Sequence, residues 1–125
     1  MADPALVSIV GNGDGSIAIW TWTLTTADPT GTAVEIPEYA DKTWSFSGTL
    51  GAAVGAIQGA NVNTDAVFAA QSNAAGGTAL TVNALPACIA MIENPRFVRP
   101  KLTTVGSGAT WTVTLCARRA NPMRT

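Results

Sequence analysis

A chain of 125 residues in which 47% of side chains are apolar and only 12% are charged has material for one hydrophobic core, and needs no metal or disulfide to fold. The net charge of −1 supplies no global attraction for nucleic acid or an anionic membrane. The absence of histidine excludes Ser-His-Asp and Cys-His catalysis, ordinary zinc sites and imidazole bases.

Charged groups make up about half the usual share, so much of the surface must be Thr, Ser, Asn, Gly and Ala, which suits a protein packed against neighbours. The charges are also segregated. Residues 1–65 hold seven acids and one base, and residues 66–125 hold one acid and six bases, which allows internal pairing or complementarity between subunits. No run of roughly 18 apolar residues is present to span a bilayer. The opening Met-Ala-Asp-Pro-Ala-Leu lacks the basic region of a signal peptide, so the expected compartment is a cytosol.

Period-two alternation dominates the chain. Residues 5–10 read as a first strand of the chain's own sheet, or, with the Gly11-Asn-Gly-Asp-Gly15 separator, as part of an N-terminal arm over residues 1–15. In residues 16–25, Ile17, Ile19 and Thr21 point one way while Ala18, Trp20, Trp22 and Leu24 point the other. Asp28-Pro-Thr-Gly31 fits a β-turn. Further strands are expected at 33–37, 43–49, 54–59, 66–70, 79–84, 87–92, 96–104 and 110–117. Gly51 to Ala56, rich in small residues, reads as a flexible turn or a place where another backbone comes close, and Asn73 to Gly77 as a loop. Thr64 to Ser72 is the one helix candidate, and Val105-Gly-Ser-Gly108 reads as the turn of a hairpin. The whole is expected to be a single all-β domain over residues 1–125, an antiparallel β-sandwich or jelly roll of about eight to ten short strands.

Site chemistry is sparse. Glu35 with Glu38 or Asp41 is the only carboxylate cluster, and it reads as a solvated loop more than as an acid–base pair. Asn12, Asp14 and Asp28 offer oxygen ligands to calcium, but turn chemistry explains them. The expectation is a protein that is not an enzyme and holds no metal or cofactor. Cys88 and Cys116 lie in apolar runs and read as buried free thiols, with a disulfide open to them if their strands are neighbours. Trp20 and Trp22, at i and i+2 on one strand face, suggest either an aromatic platform for a sugar or partner, or core; Trp44 and Trp111 read as core. Arg96 and Arg99 flank Phe97-Val98 between two prolines, which suggests an edge strand whose arginines pair with Glu93, Glu35 or Asp41, within the chain or across a subunit boundary. Arg96, Arg99, Trp20 and Trp22 are therefore the candidate interface residues.

Four segments carry a resemblance: Asp41-Lys-Thr43 leading into Phe46-Ser-Gly-Thr49, Ile57-Gln-Gly-Ala-Asn61, Glu93-Asn-Pro-Arg-Phe-Val-Arg-Pro100, and Trp111-Thr-Val-Thr-Leu115. Together, over roughly residues 39–115, the chain resembles small structural proteins of tailed-phage particles, of the capsid decoration or cement type. It departs from that pattern after Asn61, where an Asp-Gly-x-x-Trp turn is common and Val62-Asn-Thr-Asp-Ala-Val-Phe68 stands instead. The resemblance implies a sandwich or jelly-roll subunit, homotrimeric or homodimeric, with the major capsid protein as partner and no nucleic acid or membrane. Its expected place is the capsid surface of the virion, after assembly in the host cytoplasm. A tail or neck protein is an alternative, and a carbohydrate-binding or host-attachment module using the Trp20 and Trp22 face is another.

Overall fold

The computed structural model describes residues 3, 5–10, 17–37, 39–74, 76–104 and 108–119. Ten strands follow in order: β1 (Ala5–Val10), β2 (Ile17–Thr25), β3 (Val34–Glu35), β4 (Asp41–Thr49), β5 (Val54–Ala60), β6 (Ala69–Ala70), β7 (Thr81–Val82), β8 (Ala87–Met91), β9 (Phe97–Thr104) and β10 (Thr110–Arg118). They form two antiparallel sheets packed as a sandwich. One sheet has the order β1-β2-β10-β4-β8, and the other β3-β9-β5-β6 with β7 also on β5. The all-β sandwich read from the alternation is therefore the fold.

β10 is the axis of the larger sheet, paired along its nine residues with β2 on one side and β4 on the other. Its alternation Thr-Trp-Thr-Val-Thr-Leu-Cys-Ala-Arg sends Trp111, Val113, Leu115 and Ala117 inward, all fully buried, because successive side chains of a strand face opposite sides. β2 contributes Ala18, Trp22 and Leu24, and β4 contributes Trp44 and Phe46. The rings meet as pairs: Trp22 stacks on Trp44 with centroids 5.8 Å apart, and Phe46 on Trp111 at 5.2 Å. The second sheet answers with Ile57, Val98 and Leu102. A Cβ on Gly55 would lie 2.4 Å from the Trp111 ring. Gly55 thus lets the β5 backbone reach the indole; the close neighbour is a side-chain ring and not the second backbone that the small residues of this stretch suggested.

Several local expectations are corrected. β9 and β10 are not a hairpin, since β9 pairs with β3 and β5 while β10 pairs with β2 and β4. The chain crosses between sheets there, as it does from β4 to β5, where Ala53 N donates to Leu50 O at 3.0 Å. The helix candidate is a single 3-10 turn at Asp65–Val67 followed by β6. Its residues are exposed and present no apolar stripe for helix packing. The turn expected at 28–31 sits earlier, where Asp28 N donates to Thr25 O at 3.1 Å. Thr30 instead bridges to Lys101, and Gly31 N donates to Pro100 O. β1 pairs with β2 of the same chain, so residues 5–10 belong to the chain's own sheet. The Gly11 to Gly15 turn and Glu38 lie outside the described residues.

Candidate interaction surfaces

The outer face of the larger sheet follows directly from the alternation that builds the core. Registered across β2, β10 and β4 are three rows of hydroxyl side chains: Thr25, Thr110 and Thr49; Thr23, Thr112 and Ser47; Thr21, Thr114 and Ser45. Thr21 and Thr114 are joined through their hydroxyls at 3.2 Å. The next row runs Ile19, Cys116, Thr43 and Ala90, and Cys88 lies beside Ser45. Asp41 and Arg118, directly opposite each other on β4 and β10, are the only charges that these registers place on the face. β-branched Thr suits an exposed strand, and the result is a broad, nearly uncharged surface.

This face also corrects the reading of the cysteines. Cys88 is exposed and Cys116 half-buried, both as free thiols. β4 separates their strands. The apolar neighbours that suggested burial, such as Ile89 and Leu115, point to the opposite side.

The four candidate interface residues separate. Trp22 is fully buried and its Nε1 donates to Thr32 O at 2.9 Å. Trp20 is half-buried at the margin of the core and meets Tyr39 edge-on, centroids 6.1 Å apart. The two indoles form no exposed platform. Arg99 is also interior: its Nε donates to Gln58 Oε1 at 3.0 Å, its Nη1 to Asp65 Oδ1, and its guanidinium lies 4.0 Å from the centroid of the Phe68 ring. The Arg99 bond holds the exposed Asp65 carboxyl below the usual range, with the guanidinium charge adding to it. Only Arg96 is a surface residue, paired with Glu35 while both stay roughly half exposed.

Three of the four segments that carry the resemblance meet around one polar knot. The Lys42 ammonium is buried, and donates to Tyr39 O at 3.1 Å, Ala40 O at 3.3 Å and Asn94 Oδ1. Burial pushes its pKa down to about 8, against a smaller opposing pull from Asp41. Arg96 N donates to Asn61 Oδ1 at 3.1 Å, and Ser72 N donates to Glu93 Oε1 at 2.7 Å. The Ser72 side chain, and to a smaller extent backbone amides including that of Ser72, hold the Glu93 carboxyl below its ordinary value despite some desolvation. These residues thus tie the start of β4, the end of β5 and the lead-in to β9 together.

Beside the knot opens a cleft of about 440 Å³ walled by residues 59–61 and 93–95 with Val67 and Gln71. Gln71 is 7% exposed. Its Nε2 donates to Ala69 O at 3.0 Å, while its buried Oε1 has no hydrogen-bond partner. A Cβ on Gly59 would fall 2.5 Å from Pro95 and 2.8 Å from Gln71, so glycine there lets both walls close on the β5 backbone. A second cleft, of about 350 Å³, lies between Arg118, Asp41 and Ala74 with Lys42 in its wall. Among the described residues no group of three or more acidic or cysteine side chains is placed to hold a metal.

None of this cleft is evident from sequence alone. The Ile57 to Asn61 and Glu93 to Pro100 motifs are visible, but their adjacency depends on the pairing of β5 with β9. Gln71 carries no motif at all. Compared with known proteins, the chain matches no protein-family model and no curated protein.

Proposed function

We propose that the chain is a structural subunit of a tailed-phage particle, a decoration or cement protein that binds the lattice of the major capsid protein and stabilises it. The observation that carries this reading is the outer face of the larger sheet, in which ordered rows of Thr and Ser are interrupted by a single facing pair of charges. A solvated face of a free-standing domain normally carries more charge. A face that spends its life against protein does not need it.

Magnitude favours a lattice over a tight pair. Three strands at about 4.8 Å spacing, with nine residues rising about 3.3 Å each, give a patch of roughly 430 Å². Stable pairwise complexes bury about 800 Å² per partner. Contacts of this size hold well when repeated on neighbouring sites of a lattice, because each further contact is made at high effective concentration. The resemblance of the Asp41, Asn61 and Glu93 segments to phage structural proteins supports the same reading.

The test is co-sedimentation of the chain with expanded, DNA-free heads of the phage that encodes it, comparing the native chain with Thr112→Lys and Thr114→Lys. Both positions are half-buried on the outer face, and Thr114→Lys also removes the Thr21–Thr114 hydroxyl contact, so losses of up to about 1 kcal/mol are expected and each variant is first shown to be folded by circular dichroism. Binding should be saturable for the native chain and weakened for both variants. Native affinity in both variants would remove the face from the account.

A further inference from the structure

We propose that Lys42 and Asn94 are a self-closing pair, in which Nζ of Lys42 attacks the side-chain amide of Asn94 and forms an isopeptide bond between the two sheets. The proposal goes beyond the reading of the chain as a particle subunit and does not depend on it. It rests on what surrounds one buried amine.

Lys42 lies at the start of β4 with its side chain turned inward, and the residue is 2% exposed. Its ammonium has three N–H donors, and they meet Tyr39 O, Ala40 O and Asn94 Oδ1. The neutral amine has two N–H groups and a lone pair. With the N–H groups kept on the two carbonyls, the lone pair points along the third direction, at the Asn94 amide, whose carbon is one bond beyond the oxygen that Nζ touches. Of the three acceptors, only Asn94 can be attacked without breaking the main chain. Desolvation makes a lysine nucleophilic near neutral pH, and burial brings this amine down to about 8.

Asn94 fits the other role. The next residue is Pro95, which has no backbone N–H, so the amide is not consumed by ring closure onto the following nitrogen, the usual route of asparagine deamidation. Asn94 is exposed and lines the cleft of about 440 Å³, which gives a small leaving group a way out. In the step the Nζ–Cγ bond forms, the Cγ–Nδ2 bond breaks, and one proton of Nζ passes to Nδ2, which departs as ammonia. Asp41, the carboxylate whose charge acts on Nζ, carries that proton. The new bond ties β4 of one sheet to the lead-in of β9 in the other, across 52 positions of sequence, and so restricts the unfolded chain. Until the bond forms the amine titrates; afterwards it does not.

The test is the intact mass of the purified native chain, followed over days at pH values from about 6 to 10, with peptide mapping of the product. The chain should lose one ammonia, and the product should be a branched peptide joining Lys42 to Asn94. Its rate of formation should rise with pH and level off above about 8, where the amine is neutral, and the closed form should unfold at higher urea than the open one. Lys42→Met and Asn94→Ala should keep their full mass. A branched peptide already present in the freshly purified chain supports the pair as well. An unchanged mass at every pH with no branched peptide, or a loss of ammonia that maps to another asparagine, overturns the proposal.

Discussion

Arg99 and Asp65 form an ion pair whose two halves live in different solvents: the Arg99 side chain is 4% exposed and that of Asp65 71%. The arginine comes up through the outer side of β9 and is covered by Phe68 and the 3-10 turn. Its methylene stem and guanidinium thus act as packing for a segment that has little apolar material of its own. Arg99→Ala should therefore lower stability by about 2 kcal/mol through lost packing and hydrogen bonds. Arg96→Ala, on a pair exposed on both sides, should cost less than about 1 kcal/mol. Urea unfolding of the two variants separates them; equal effects would mean that Arg99 is not the pin of the 61–70 segment.

Lys42 gives the fold a specific pH dependence. In the unfolded chain its amine titrates near 10.5, and in the fold near 8. Between those values the unfolded state holds more protons than the folded one, so stability should rise as pH increases from about 8 to 10.5 and then level off. Below about 8 the amine is charged in both states and contributes no slope. Unfolding free energies across this window should show the rise, and Lys42→Met should flatten it. A native chain that loses stability over this window would contradict the assignment.

The tryptophans of β2 should behave differently from each other. Trp22 is fully buried, stacked on Trp44 and bonded to Thr32, so Trp22→Ala should cost about 3–5 kcal/mol. Trp20, only half-buried, should cost clearly less. Thermal melts order the two variants. A folded, stable Trp22→Ala protein that had lost polysaccharide binding would instead restore the sugar-platform reading.

Gly55 tests the contact between the sheets. Alanine there would put its Cβ 2.4 Å from a Trp111 ring held on all sides by the core. Gly55→Ala should destabilise by about 1–3 kcal/mol through overpacking, visible as a lower denaturant midpoint with an unchanged slope. A neutral or stabilising result would show that β5 and Trp111 can separate freely.

The parts of this fold legible in the sequence are those where one rule dominates. β2, β4 and β10 alternate over nine residues each because one side is core and the other water. Trp44 and Trp111 could be named as core without coordinates, whereas the β2 face of Trp20, Trp22 and Leu24 stays open between core and platform until the second sheet is seen to cover it. β3, β6 and β7 are two residues long, too short for a period to show, and were expected to be longer. The crossing from β9 to β10 is not legible in the sequence, because a Gly-rich turn between Thr- and Val-rich strands looks the same whether it returns within a sheet or passes to the facing one. Arg99 was read as an edge residue because its covering segment, 61–70, is ordered by tertiary contacts and not by local pattern. The cleft was invisible for the same reason, since it exists only once β5 and β9 are paired.

The proposed role on a phage capsid lattice is tested most directly by stoichiometric binding of the chain to expanded, DNA-free heads of the phage proposed to encode it, read by co-sedimentation. The account expects saturation at a fixed number of copies per capsid subunit, greater resistance of the decorated heads to heat, and weaker binding when Thr114→Lys places a charge on the hydroxyl face. Absence of binding to expanded heads, or binding that never saturates, would contradict it.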